Sequence, residues 1–214
     1  MATTKQTKKS AASDEITLPK IDKRTIEVRI KGVSPLIVHA WSEKAKRQMR
    51  EKQMKQARMQ KEAKDPQADF EGSKYLNDAG RDCIPAAALR NAIISAGRFT
   101  DGVPMTRICG SVFFLDDMIE IKYDECRNRE DMVRVGGKGP GTGTADLRYR
   151  AEYTGWSIAL KIEFNANVLS VEQLLNLIQT AGFAVGLCEW RPEKRGQFGR
   201  FDIDGGAREI KQAA

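Results

Sequence analysis

A closely packed helix is predicted by the run Ile84-Pro85-Ala86-Ala87-Ala88-Leu89-Arg90-Asn91-Ala92-Ile93-Ile94-Ser95-Ala96. Proline suits the first turn of a helix, where its missing N–H has no intrahelical partner to lose. Leu89, Ile93 and Ile94 then recur at helical spacing. The alanines between them are small, so the helix is expected to approach a sheet closely.

Strand patterns flank this helix on both sides. Residues 25–31 alternate apolar and charged side chains, which places Ile26, Val28 and Ile30 on the core face of a first strand. Further strands are predicted where β-branched and aromatic residues concentrate, at residues 108–115, 118–123, 131–135, 147–153 and 156–164. The last two meet at the turn Thr154-Gly155 and are predicted to pair as a long β-hairpin.

A second helix is predicted after Ser170, because Gln173 three residues later completes a capping box. Its apolar stripe runs through residues 174–178, and Gly182 is expected to end it. Without insertions, the order is strand, helix, two strands, helix, strand. This βαββαβ order predicts an α+β, RRM/ferredoxin-like fold.

Two insertions interrupt that order. Residues 41–64 carry nine Lys and Arg against three Glu, which predicts a basic helix stopped by Asp65-Pro66. A short hairpin is predicted at residues 75–80, and the glycine-rich residues 136–144 are expected to form a mobile loop.

The domain organisation follows from these segments. Residues 1–20 are expected to be a disordered basic tail, and residues 206–214 a C-terminal tail. Residues 21–205 are predicted to be a single RRM-like domain. Its basic helical insertion lies at about residues 41–80.

Composition narrows the class of protein. Lys and Arg number 36 against 29 Asp and Glu, and the net charge of +7 suits a polyanionic partner. The four cysteines have no close pair, so neither a zinc site nor a disulfide framework is predicted. No stretch approaches the ~18 consecutive apolar residues of a membrane helix. We therefore expect a cytoplasmic protein without membrane contact, metal or cofactor.

The C-terminal run Gly186-Leu187-Cys188-Glu189-Trp190-Arg191-Pro192-Glu193-Lys194-Arg195-Gly196-Gln197-Phe198-Gly199-Arg200-Phe201 joins glycines, cations and aromatics after a helix. Glycines let the backbone approach a ligand, cations pair with phosphates, and aromatic rings stack on bases. The run therefore predicts a nucleic-acid contact. The alternative is that Trp190, Phe198 and Phe201 are core residues at strand ends.

Two segments together resemble the RAMP superfamily. They are Ile84-Pro85-Ala86-Ala87-Ala88-Leu89-Arg90 before a helix, and Arg195-Gly196-Gln197-Phe198-Gly199-Arg200-Phe201 before a final strand. More narrowly, they resemble the RRM-like backbone subunits of CRISPR effector complexes, and a stand-alone phage or mobile-element relative is equally consistent with them. The resemblance implies that residues 41–80 form a helical insertion, called the finger in that family. It also implies that residues 116–153 form a β-hairpin, called the thumb, that reaches a neighbouring subunit.

The predicted function is sequence-independent binding of single-stranded nucleic acid, RNA or DNA, by a protein that oligomerises along the strand as a helical filament or a ring. Trp190 and Phe198 are assigned to stacking or wedging. Phosphate contacts are assigned to ten cations: Lys44, Arg47, Arg50, Lys138, Arg148, Arg150, Arg191, Lys194, Arg195 and Arg200. The loop around Lys138 lacks the Gly-x-x-x-x-Gly-Lys-Ser/Thr spacing of nucleotide hydrolases.

Two other functions stay open. Some RAMP-like proteins are endoribonucleases with a histidine after the first strand, and His39 occupies that region. It would act as general acid or base without a metal, with Lys44 or Arg47 stabilising charge. The third reading is a structural or protein-interaction module whose charge serves solubility. Asp116-Asp117 is predicted to be a turn rather than a metal site, because adjacent strand residues face opposite sides.

Overall fold

The computed structural model describes residues 19–55, 63–137, 139 and 142–210. The strands are β1 (Lys23–Gly32), β2 (Leu36–Val38), β3 (Tyr75–Leu76), β4 (Asp82–Pro85), β5 (Val112–Phe114), β6 (Met118–Lys122), β7 (Glu125–Val135), β8 (Thr144–Thr154), β9 (Ser157–Asn165), β10 (Phe201–Ile203) and β11 (Arg208–Ile210). The helices are α1 (Glu43–Gln53), α2 (Pro66–Glu71), α3 (Ala86–Ala96), α4 (Met105–Cys109) and α5 (Val171–Thr180). Short 3₁₀ turns lie at Gly97–Phe99 and Pro192–Lys194, and a π-helical turn, Ala181–Val185, continues α5.

Eight strands of the described chain form the central antiparallel sheet, which we call the palm. Their order is β10-β1-β9-β6-β4-β3, with β11 also paired to β1 and β5 also paired to β9. Strands β1, β6, β9 and β10 with helices α3 and α5 follow the βαββαβ order, and the strand order β10-β1-β9-β6 is ferredoxin-like. The predicted fold class is therefore present in the structure.

Helices α3 and α5 pack together over the apolar side of the palm. The predicted core residues of β1 (Ile26, Val28 and Ile30) are fully buried, as is Leu89 on α3. The capping box at Ser170 is also confirmed, since the Ser170 hydroxyl accepts from the Gln173 N–H and the Gln173 side chain accepts from the Ser170 N–H.

A second sheet, ordered β2-β8-β7, stands beside the palm. β7 and β8 pair along their whole length, from Glu125 opposite Thr154 to Val135 opposite Thr144, and the glycine-rich segment joins them at the tip. We call β7 and β8 the thumb hairpin. β8 pairs with β7 and β2, whereas β9 pairs with β1, β5 and β6.

The predicted hairpin between residues 147–153 and 156–164 is therefore wrong. Gly155 lies at the junction where the chain passes from one sheet to the other, with a φ of +61°. A Cβ at this position would lie 1.9 Å from the Asp124 carboxylate. Alternating side chains identify a strand but do not identify its partner, which is why the pattern misled.

The basic insertion also differs from the prediction. α1 ends at Gln53, and Lys55 has a left-handed φ of +53°. Asp65 accepts hydrogen bonds from the Gln67 and Ala68 N–H groups, with Pro66 at the first helical position. Asp65-Pro66 therefore begins α2 rather than ending the basic helix, which is the usual role of an Asp cap followed by proline.

Three further boundaries are corrected. Ile108 belongs to α4, so the strand predicted at residues 108–115 is limited to β5. Gly182 lies inside the π-helical turn, which ends at Gly186. Arg208–Ile210 forms β11 on β1, so this part of the predicted C-terminal tail is a strand. Residues 1–18 of the predicted N-terminal tail, and residues 211–214, lie outside the described residues.

Candidate nucleic-acid interface

Residues 186–200, which we call the glycine loop, connect the π-helical turn to β10 and are held by backbone hydrogen bonds. The Leu187 N–H donates to the Gly199 carbonyl (2.9 Å), and the Phe198 N–H donates to the Trp190 carbonyl (3.1 Å). The Gly199 N–H also donates to the carbonyl of Pro35, which precedes β2 (2.8 Å). The loop is therefore fastened to itself and to the segment between β1 and β2.

Two glycines make this close packing sterically feasible. A Cβ at Gly196 would lie 1.7 Å from the Trp190 carbonyl oxygen, and one at Gly199 would lie 2.0 Å from the Leu187 carbonyl oxygen. Gly199 also has a left-handed φ of +67°. The sequence predicts that these glycines let the backbone approach a ligand. In the structure, Gly196 and Gly199 let one backbone segment approach another.

Glu193 is the electrostatic centre of the loop. Its carboxylate accepts from Arg191 Nε and Nη2 (3.0 and 2.8 Å) and from Arg98 of the 3₁₀ turn that follows α3. Burial opposes ionisation of Glu193, but these hydrogen bonds outweigh burial and lower its pKa. Arg191 also donates to the Cys188 carbonyl (2.9 Å). Arg191, a predicted phosphate contact, is therefore engaged within the loop.

The loop tip carries its other two predicted cations differently. Lys194 and Arg195 are exposed, and neither side chain forms an ion pair or hydrogen bond with a residue that the structure describes. Arg195 has a left-handed φ of +64° and its N–H donates to the Pro192 carbonyl (2.9 Å). The backbone turn therefore presents both cations to solvent.

The aromatic residues of the run separate into three environments. Trp190 is 42% exposed, with a left-handed φ of +52°. Phe198 is half-buried beneath the Arg129 guanidinium of the thumb hairpin, whose centre lies 4.7 Å from the ring centroid. Phe201 is buried in the core against Trp156. The alternative reading as core residues therefore holds for Phe201, whereas the Trp190 ring reaches solvent.

The predicted cations of β8 also separate. Arg150 is only 6% exposed and donates to Asp131 (3.2 Å), so it is engaged inside the thumb hairpin. Arg148 is 36% exposed and pairs with Asp146, which also binds Lys64. Arg200 lies half-buried over the exposed ring of Phe183 (5.2 Å). Lys138 lies outside the described residues.

The α1 cations line an exposed helix surface. Arg47 pairs with Glu51 (3.8 Å) and Arg50 with Glu43 (3.7 Å), and Lys44 Nζ donates to the Ala63 carbonyl (3.4 Å). Ion pairs of this exposed kind contribute little stability, so they compete weakly with a phosphate.

His39, after β2, is the candidate acid or base. Its Nδ1 lies 4.0 Å from Glu189 of the glycine loop. Burial lowers its pKa, and repulsion from Arg150 acts in the same direction. His39 lines a cavity with Lys64 and Arg148, whereas Lys44 and Arg47, the predicted charge stabilisers, are not among the cavity's lining residues.

Sequence reasoning missed the buried network that stiffens the thumb hairpin. Glu152 is fully buried and accepts from Arg127 Nε (2.8 Å) and Arg129 Nη1 (2.7 Å). Charged residues alternate on both strands, but they share a face only because β7 pairs with β8. The alternating charges therefore indicate the network only when the pairing of β7 with β8 is known.

The palm, with its thumb hairpin and helical insertion, defines an α+β protein with a ferredoxin-like strand order. A chain in the cryo-EM structure of the Type III-B Cmr-beta bound to cognate target RNA superposes with a TM-score of 0.57 at 9% identity, covering 88% of this chain. This chain spans 61% of that one. The likeness confirms the predicted α+β, RRM/ferredoxin-like fold.

A second solved structure, the crystal structure of Cmr6 from Pyrococcus furiosus, matches with a TM-score of 0.44 and 12% identity, covering 86% of this chain and 100% of that chain. A scan against protein-family models finds no match, and a search of curated proteins finds none either. Within the described ranges, no helix is long and apolar enough to cross a membrane.

Proposed function

We propose that the protein binds single-stranded nucleic acid through the phosphate backbone, without reading the base sequence, and that the glycine loop is the principal contact. The observation that carries this proposal is the loop tip, where Lys194 and Arg195 are exposed without partners among the described residues. The backbone bonds beneath them hold the tip in place before a ligand arrives. A preorganised contact loses less entropy on binding.

Trp190 completes the proposed contact. Its exposed ring precedes the same turn, and a base stacked on an aromatic ring binds almost regardless of the identity of the base. The α1 cations Lys44, Arg47 and Arg50 extend the proposed path of the strand. Arg148, Arg150 and Arg191 are left out of it, because each is engaged in an ion pair with a neighbouring carboxylate.

RNA is the first ligand to test. The superposed chain comes from a structure bound to target RNA, and the net charge of +7 suits any polyanion. We further propose that copies assemble along the strand through the thumb hairpin, and that the protein works in the cytoplasm, where its unpaired cysteines would remain reduced.

The test is a salt series. Binding of a fluorescent single-stranded RNA is measured by anisotropy for the intact chain and for Lys194→Ala with Arg195→Ala. Each phosphate contact removed lowers the slope of log affinity against log salt by about 0.7. We expect weaker binding and a shallower slope for the double variant, by a similar amount for RNAs of different sequence.

The matched control is Lys122→Ala with Lys161→Ala, which removes the same charge from exposed positions on the palm strands. Equal losses in both double variants would reduce the effect to net charge and contradict a contact at the loop. A wild-type protein without salt-dependent binding would leave the structural-module reading standing instead.

Endoribonuclease activity is the second candidate, favoured by one observation. The lowered pKa keeps His39 neutral near pH 7, as a general base requires, and two cations line the same cavity. This function predicts RNA cleavage in the presence of chelator that His39→Ala abolishes. Intact RNA after prolonged incubation with the wild-type protein would dismiss it.

A further inference from the structure

α1 is an unusual helix because none of its residues is buried. Helices in proteins owe most of their stability to packing of an apolar face. Trp41, just before α1, and Ala45 and Met49 on it form an apolar stripe, yet Trp41 is 60% exposed and Met49 44% exposed. This stripe lines a cavity instead of the core.

The cavity lies between α1 and the thumb hairpin and has a volume of about 400 Å³. Leu147 and Tyr149 of β8 line the cavity from the thumb hairpin, and His39, in the segment between β2 and α1, lines it as well. The volume falls in the range of about 300–1,000 Å³ that is usual for small-molecule sites. Aromatic and aliphatic side chains therefore form walls suited to a planar ring.

The charges of the lining indicate what kind of ring would fit. Lys64 and Arg148 are balanced by Asp69 and Asp146, and Asp146 is already paired with both cations. A lining without net charge is a poor phosphate site. It is a good site for a neutral heterocycle, because it offers both hydrogen-bond donors and acceptors to the ring edge.

We infer that this cavity binds one unstacked nucleobase on the Trp41 ring, either from a free nucleoside or from a nucleotide within a bound strand. The second source rests on the proposed function, and the first does not. The α1 cations lie outside the cavity along the same helix, so they are placed for the phosphates that flank a bound base. The base would also supply the packing that α1 lacks.

The first experiment uses adenosine alone. Saturation-transfer NMR is recorded with the intact chain, with Trp41→Ala, and with Phe113→Ala as a matched exposed aromatic on β5. We expect transfer to the adenine protons in the wild type and in Phe113→Ala, and its loss in Trp41→Ala. Equal transfer in all three proteins, or none in the wild type, would overturn the inference.

The second experiment compares binding of a single-stranded RNA with binding of an abasic strand that has the same length and charge. Loss of one base stack corresponds to about a 5- to 160-fold loss in affinity, so Trp41→Ala should weaken the first complex by that factor and leave the second unchanged. Hydrogen exchange of the α1 amides should slow more with the base-bearing strand than with the abasic strand. Equal protection by both strands would contradict the base site.

The two proposals fail separately. If Trp41→Ala matches the wild type on both strands while the Lys194/Arg195 variant loses salt-dependent affinity, the nucleobase site is wrong and strand binding stands. If no strand binds, the proposed function is wrong, and the adenosine experiment alone decides whether the cavity takes a base.

Discussion

At the scale of single residues, the conformation of the glycine loop depends on the small size of one residue and on the charge of another. Gly196 packs against the Trp190 carbonyl, and the Glu193 carboxylate accepts hydrogen bonds from Arg191 and Arg98. Neither residue is proposed to touch a ligand. Their effect is to hold Trp190, Lys194 and Arg195 where a strand would meet them.

Gly196→Ala tests this dependence. The added methyl would meet backbone atoms rather than a flexible side chain, so the loop must open. We expect a loss of about 1–3 kcal/mol in the free energy of unfolding, measured in urea, together with weaker RNA binding. Gly206→Ala is the control, because nothing lies within 4 Å of a Cβ there. Equal stability of the two variants would contradict the packing described.

His39 provides a pH test. Burial lowers its pKa, so the unfolded chain, whose histidine titrates near about 6.5, binds the proton more readily than the folded protein. Its contribution to stability is complete above that pH and falls as the pH drops toward the folded-state pKa. Urea unfolding is measured above and below about pH 6.5. The free energy of unfolding should fall less on acidification for His39→Gln than for the wild type. An identical loss would place His39 in an ordinary solvated environment.

At the scale of elements, the thumb hairpin is stabilised by a charged layer as well as by its backbone ladder. Glu152 is fully buried between Arg127 and Arg129, and Asp131 holds Arg129 and Arg150. Buried ion networks of this type are costly to break, because the remaining charges lose their partner.

Glu152→Gln should therefore destabilise the protein by about 3 kcal/mol in urea unfolding. Hydrogen exchange should localise the effect to β7 and β8. Glu125→Gln, an exposed position on the same hairpin, is the control and should change stability little. A neutral outcome at Glu152 would mean that the arginines relax into solvent without cost.

At the scale of the whole molecule, the outer half of the thumb hairpin stands away from the core. Met132, on the outer half of β7, is 60% exposed. An exposed apolar side chain on a projecting hairpin suits contact with another copy of the chain. It is the feature on which the proposed assembly along a strand depends.

Light scattering with and without a long single-stranded RNA tests that assembly. We expect strand-dependent growth in the wild type and its loss in Met132→Ser, with Leu76→Ser, an equally exposed apolar position on β3, as the control. Oligomers that form without RNA would favour the alternative function, a structural or protein-interaction module.

The predictable part of the fold lay in local patterns. Residues 25–31, the run from Ile84 to Ala96 and the capping box at Ser170 each predicted an element that the structure contains, because their signals arise within one turn or one strand. The strand predictions around Thr154-Gly155 failed for the converse reason. Pairing depends on residues far apart in the chain, and alternation alone does not carry that information.

The candidate site shows the same division. The residues alone show that the chain is basic and that residues 186–201 join glycines with cations and aromatics, and their patterns predict an α+β palm. Which cations remain available follows from the fold: Arg191 and Arg150 are engaged internally, whereas Lys194 and Arg195 face solvent. This is because composition sets the total charge, whereas the neutralisation of each charge depends on carboxylates that folding brings to it, such as Glu193 and Asp131.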